Sequence, residues 1–146
     1  MNHKKGFTII ELLMVIAIIG LLSTIVLTSL SGARNRGSDA AVKSNLNSIR
    51  SAADLFYDNN GTSYGTFAIG NCVSGSGMFG NSTIISAINA AISAGDGTSR
   101  CVSSGTAYAV AVGMKTIGQS WCIDSLGRSK LYLGNPVSAI SGSSCN

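Results

Sequence analysis

The stretch "KKGFTIIELLMVIAIIGLLSTIVL", Lys4–Leu27, decides the fold. From Phe7 onward it contains a single charged residue, Glu11, and the nineteen positions Leu12–Leu30 carry no charge at all. A bilayer-spanning helix needs about 20 predominantly apolar residues, so this run is long enough. Lys4 and Lys5 hold its start on the cytoplasmic side by the positive-inside bias, and everything beyond Leu30 is then exported. A secretory signal peptide has an apolar stretch of only about 7–15 residues before a small-residue cleavage site. The run here is longer, although SLSGA at Ser29–Ala33 has the small residues such a site uses. A discarded peptide also gains nothing from an acid, because a charge at mid-bilayer costs about 3 kcal/mol even on the lenient insertion scale. Glu11 therefore calls for a partner. A cut before Phe7 would create one, an amine four residues away in the same chain, and the same amine on a neighbouring copy would serve equally.

Lys4-Lys5-Gly6 followed by Phe7-Thr8-Ile9-Ile10-Glu11-Leu12-Leu13 resembles the leader and N-terminus of bacterial type IV prepilins and the related pseudopilins. The resemblance is tight from Lys4 to Leu30 and looser to the end of a long helix near Asn60. It implies cleavage between Gly6 and Phe7 by a prepilin peptidase on the cytoplasmic side, and methylation of the new Phe7 amine. It also implies that the apolar helix is kept, first as a membrane anchor and then as the core of a filament. In that scheme Glu11 neutralises the Phe7 amine of an adjacent subunit and helps set the axial register. One departure is visible. Many members carry a proline in the middle of the apolar helix, whereas here the corresponding stretch has Thr28, and the one proline is Pro136. Gly20 remains as a soft position, since Gly costs about 1 kcal/mol against Ala in a helix.

Beyond Leu30, Gly32 and Gly37 are poor helix residues. The pattern then recovers, with Val42, Leu46, Ile49, Ala53 and Phe56 at alternating steps of four and three, one apolar stripe of an amphipathic helix. Asp39, Lys43, Arg50, Asp54 and Asp58 fall off that stripe and are read as a solvated face. Asn59-Asn60-Gly61 ends the helix. Thr62–Gly80 reads as an irregular surface loop. Gly75–Gly80 matches G-x-G-x-x-G, but no strong strand precedes it and no acid follows about 20 residues on, so a nucleotide site has little support. Asn81 or Ser82 caps a short helix with Ile84, Ile85, Ile88 and Ile92 on one side, closed by Gly95. Alternation then predicts a strand with Tyr108, Val110, Val112 and Met114 on one face and Ala107, Ala109 and Ala111 on the other. QSWCIDS and RSKLYLG follow as an antiparallel hairpin around Leu126-Gly127.

The chain has 146 residues, 45% apolar and only 11% charged, with a net charge of +4, to which Lys4 and Lys5 supply two. So small a surplus does not argue for nucleic acid. The four cysteines, Cys72, Cys101, Cys122 and Cys145, contain no CxxC, and in a Gly/Ser-rich, charge-poor region they point to disulfides and an oxidising compartment. The layout favours Cys72–Cys101, closing the loop around the short helix, and Cys122–Cys145, tying the tail to the second strand. The latter resembles the C-terminal disulfide often found in pilins, and the crossed pairings stay open. His3 is the only histidine and would leave with the leader, which removes the commonest general base and any Ser-His or Cys-His pair. Asp124, with few acidic neighbours, makes a poor calcium cage.

These readings converge on an α+β, type IV pilin-like fold. A long N-terminal helix, apolar in its first half, lies on a small antiparallel sheet. Residues 1–6 are the leader, 7–30 the transmembrane and filament-core helix, 31–60 its amphipathic half and 61–146 the globular head. The function expected is that of a structural filament subunit, not an enzyme, with no cofactor and no metal. Its partners would be further copies of itself, the peptidase, an inner-membrane assembly platform and, before assembly, the membrane. From the cytoplasmic membrane it would pass to an extracellular filament with roles in adhesion, motility or DNA uptake, although nothing in the sequence singles out nucleic-acid binding. The alternatives are a pseudopilin of a type II secretion or competence system, and a single-span anchored binding module that never polymerises.

Overall fold

The computed structural model describes residues 6–72 and 75–146. The leader residues His3, Lys4 and Lys5 lie outside the described residues. The chain divides into two units, Met1–Arg34 and Asn35–Asn146. Helix α1, Ile9–Asn59, supplies most of the first and begins the second, and it runs through Gly20, Gly32 and Gly37 without a break.

In the second unit α1 contributes the stripe set out by the sequence. Val42, Leu46, Ile49 and Ala53 are fully buried, and Phe56 packs at their margin. They face a five-stranded antiparallel sheet in the order β1 (Phe67–Gly70), β2 (Ser99–Ser103), β3 (Tyr108–Gly113), β4 (Gln119–Asp124) and β5 (Ser129–Leu133). Register follows the side-chain alternation. Val110 pairs with Cys101 on one side and with Ile123 on the other. Tyr108, Val110, Val112 and Met114 enter the helix-side core, while Ala109 and Ala111 point to the opposite face. Short helix α2, Ser82–Ala94, adds Ile84, Ile88 and Ala91 to the core. Asn81 caps it, its side-chain oxygen accepting from the amides of Thr83 and Ile84 at 3.0 and 3.3 Å.

Three expectations are corrected. Thr62–Gly80 is not an irregular surface loop: it supplies β1 and a 3-10 turn, Gly77–Gly80, that sinks Met78 and Phe79 into the core. The glycines explain how. Gly65 and Gly77 both have positive φ and meet backbone to backbone, where a Cβ on either would collide with the other. Their closeness lets the Met78 amide donate to Tyr64 O at 2.8 Å. Second, the sheet has five strands where three were predicted. Third, the far face of the sheet is covered as well. Two short strands, β6 (Ile140–Ser141) and β7 (Ser144–Cys145), pair with each other and lay Ala139, Ile140 and Cys145 over Ala109, Ala111 and Cys122.

The supposed solvated face of α1 is also in use. Asp39 is buried, and its carboxylate accepts from the amides of Lys115 and Thr116 at 2.6 and 3.2 Å and from the Thr116 hydroxyl. Arg50 donates to Gly127 O at 2.7 Å, to Arg128 O and to the Ser129 hydroxyl, pinning the β4–β5 turn to the helix. Lys43 sits over the Trp121 ring at 4.7 Å. Asp124 is fully buried. Its oxygens accept from the amides of Leu126, Arg128 and Cys145 at 3.0, 3.1 and 3.0 Å, with the Arg128 guanidinium 3.8 Å away. That carboxylate staples the tail and the hairpin turn together.

Disulfides join Cys72 to Cys101 and Cys122 to Cys145. The second fastens the tail over a face whose side chains are mostly alanine and bury little apolar area. Replacing Cys122 and Cys145 together by Ser is expected to cost about 2–4 kcal/mol. Denaturant titration of the detergent-solubilised chain, followed by Trp121 emission, measures it. Alkali supplies a second check. Burial, with Tyr64 at 4.9 Å, holds the Tyr108 hydroxyl protonated well above the usual tyrosine range, and burial with Asp54 nearby raises Tyr64 too. The folded state keeps protons that the unfolded chain sheds near pH ~10, so stability is full below that pH and falls as pH rises above it. Tyr108→Phe should make that fall shallower.

Candidate processing and assembly site

The start of α1 gathers the residues on which the sequence reading concentrated. Gly6 and Phe7 precede the helix in exposed, non-helical backbone, with Phe7 78% exposed. Thr8 stands immediately before the first helical residue, and Glu11 follows three residues later. The Thr8 amide donates to Glu11 Oε2 at 2.9 Å and the Thr8 hydroxyl donates to the same oxygen at 2.6 Å. The Glu11 amide in turn donates to Thr8 Oγ1 at 3.4 Å. This reciprocal arrangement is a capping box, and it satisfies amides that a helix start otherwise leaves without partners. The acid also sits at the end of the helix where negative charge is favoured by the backbone dipoles.

Sequence reasoning sought a cation for Glu11 and missed this neutral partner. The signal was present, because Thr8-Ile9-Ile10-Glu11 has the T-x-x-E spacing of a capping box. The cap uses one carboxylate oxygen. Oε1 takes no hydrogen bond from the described residues, and an ionised carboxylate accepts at both oxygens. The carboxylate is thus held in place by its own chain with one oxygen left to meet a donor from elsewhere.

The helix that follows has no cover of its own. Leu12, Leu13, Met14, Val15 and Ile16 are all exposed, and five consecutive residues pass all the way round an α-helix. Ile18, Ile19, Leu21, Leu22, Ile25 and Val26 continue the pattern. Isolated exposed hydrophobics are ordinary, but a continuous apolar surface of this extent marks a membrane or protein contact. By length and composition the helix can cross a membrane. The hydroxyl of Ser23 donates to Ile19 O at 2.7 Å and that of Thr24 to Leu21 O at 2.8 Å, so neither needs water. Nothing lies within 4 Å of where a Gly20 Cβ would stand, leaving that side open to a close neighbour.

The four cysteines lie elsewhere, as the two disulfides of the second unit, and no group of three or more metal-ligating side chains occurs among the described residues.

Residues 1–27 match the family described as the prokaryotic N-terminal methylation motif. Over 61 residues the chain is 43% identical to the type IV wide pilus major component PilA4 of Thermus thermophilus, a stretch covering 41% of this chain and 47% of that protein. The chain thus spans about half the length of that relative. No solved structure matches the chain. The methylation motif, the pilin similarity, and the long apolar-started helix followed by a five-stranded antiparallel sheet together support a place for this chain in the type IV pilin family, as a pilin or pseudopilin subunit.

Proposed function

We propose that the chain is the precursor of a structural subunit of a type IV pilus-like surface filament. One observation carries the reading: an apolar helix, exposed on every side, begins with a single carboxylate that its own chain positions but does not use up. In this reading residues 1–6 are the leader, 7–30 the anchor and later filament core, 31–60 the amphipathic half of the helix and 61–146 the exported head. A prepilin peptidase cuts between Gly6 and Phe7, and the Phe7 amine is methylated. The helix holds the mature subunit in the cytoplasmic membrane until an assembly platform draws it into the fibre, where neighbouring helices take the place of lipid. Small residues such as Ala17, Gly20 and Ser23 allow close approach between helices. Glu11 Oε1 then accepts from the Phe7 amine of an adjacent copy and fixes the stagger. The role is structural and requires no catalytic group.

Intact-mass measurement of material sheared from cells should show a chain beginning at Phe7, methylated, and lighter than its reduced form by the four hydrogens of two disulfides. A chain beginning at Met1, or after Ala33, contradicts this processing. A pair of substitutions separates the two tasks assigned to Glu11. Thr8→Val removes the cap hydroxyl, at a cost of about 1 kcal/mol to the helix start, but keeps the carboxylate, so filaments should still form. Glu11→Ala should abolish filaments while the folded head persists. Equal loss in both variants would reduce Glu11 to a capping residue, and normal filaments from Glu11→Ala would remove the basis for the proposal.

A further inference from the structure

The second unit carries two exposed features that neither its core nor the helix-start chemistry employs. One is the turn between β3 and β4. Ile117 at its tip is 98% exposed, yet the turn is firmly held. Asp39 accepts from the Lys115 and Thr116 amides and the Thr116 hydroxyl, and the Met114 amide donates to Gln119 O at 2.9 Å. An aliphatic side chain is therefore presented on a fixed point, where an unanchored loop would simply fold it away. Basic groups accompany it. Lys115 is two residues distant, its Nζ donating to Gly95 O at 3.3 Å. Arg36, exposed and in no hydrogen bond or ion pair among the described residues, lies one helical turn before Asp39. The nearby acid Asp96 spends Oδ1 on the amide and hydroxyl of Thr98.

The other feature lies towards the C-terminal end of α1. A hollow of about 170 Å³ is lined by Ala52, Leu55 and Phe56, with Asn81 and Thr83 from the start of α2. Leu55 is 63% exposed at its rim. A cavity of about 150 Å³ holds a molecule the size of benzene, so this one has room for a branched aliphatic side chain. Asp54 and Asp58 flank it, exposed and in no hydrogen bond or ion pair among the described residues. Their placement is unfavourable in an isolated copy. They repel each other at i, i+4, they sit at the helix end that disfavours negative charge, and no basic residue occupies the last turn.

We propose that the Ile117 tip of one copy seats in the Ala52–Leu55–Phe56 hollow of another, where Arg36 and Lys115 meet Asp54 and Asp58. The inference rests on the reading of the chain as a filament subunit and names the head-to-head contact within it. Such a contact uses different patches on the two copies, and heterologous contacts of this kind propagate as open helical filaments where their rotation does not close. Asp39, which anchors the tip, and Phe56, in the hollow, are seventeen residues apart on one helix, or ~25 Å at 1.5 Å per residue. Four residues separate Phe7 from Glu11, only ~6 Å on the same scale. The two contacts therefore join different pairs of copies along the fibre. Opposite charge at the rim steers the approach and rejects the like-on-like alignment of unshifted copies.

The test places a photocrosslinking amino acid at position 117 of the full-length chain in filament-producing cells. Sheared filaments, irradiated and digested, should yield an adduct between the 117 turn and the α1 segment around Leu55 of a second copy. An adduct to lipid, to another protein or to a different segment of the chain overturns the contact. Charge reversal adds an independent reading. Asp54→Lys with Asp58→Lys should lower filament yield by about tenfold, and adding Arg36→Glu with Lys115→Glu should restore it. Failure of the combined variant to recover, with Trp121 emission and both disulfides unchanged, also overturns it. Filaments without the 117–55 adduct defeat this contact alone, whereas absence of filaments from the unsubstituted chain defeats the subunit reading as well.

Discussion

Water is a poor solvent for the first part of this protein, and nothing in the chain covers it. Large aliphatic side chains project from every side of α1 between Ile9 and Val26. At about 25 cal/mol for each Å² of apolar surface removed from water, so many exposed side chains represent a driving force of tens of kcal/mol towards lipid or towards other helices. Backbone polar groups pose no obstacle to that transfer, because an α-helix satisfies them internally. Only the helix start needs help, and Thr8 and Glu11 provide it. A charge that would be a liability in an apolar setting is thereby fixed in direction as well as position. The same residue pair serves the local physics of a helix terminus and leaves a carboxylate oxygen for an intermolecular donor.

The second unit solves a different problem. Its sheet is built largely from small residues, with Ala109, Ala111, Ser103 and Ser120 among its buried members, so area burial alone gives limited stability. Covers on both faces compensate, α1 and α2 on one side and the disulfide-tied tail on the other. Two buried carboxylates fasten those covers. Asp39 binds α1 to the β3–β4 turn, and Asp124 binds the β4–β5 turn to the tail. Burial of a charge is tolerable only where hydrogen bonds replace water, and backbone amides meet that need in both cases. The same fastening that stabilises the unit holds Ile117 outward, so stability and the proposed docking point share one origin.

Legibility in the sequence followed the strength of periodic signals. The anchor, the Val42–Phe56 stripe, the Asn81-capped helix and the β4–β5 hairpin could all be read, because each repeats at its own period or ends in its own turn residues. Strands β1 and β2 could not. FAIG and SRCVS are short, polar or glycine-bearing, and their extended form comes from pairing with β3 and from the Cys72–Cys101 bond. The glycine-rich stretch misled for a related reason. Composition suggested solvent, but Gly65 and Gly77 are there for a backbone-to-backbone approach that buries Met78 and Phe79. At the helix start, the T-x-x-E spacing was readable and was passed over in the search for a cation.

By itself the sequence determined the elements that depend on neighbours along the chain: where the helices run, which stripe of α1 is apolar, which residues bound the cleavage motif and where the hairpin turns. Tertiary structure alone decided what depends on residues far apart in the chain. It gave Asp39 a turn 76 residues away to hold, brought a tail onto the second face of the sheet, and set an exposed isoleucine and an uncompensated pair of aspartates on one folded unit. Periodicity records how a segment meets a generic apolar surface. It carries no record of which distant amide a carboxylate will find, because that pairing exists only once the chain has folded.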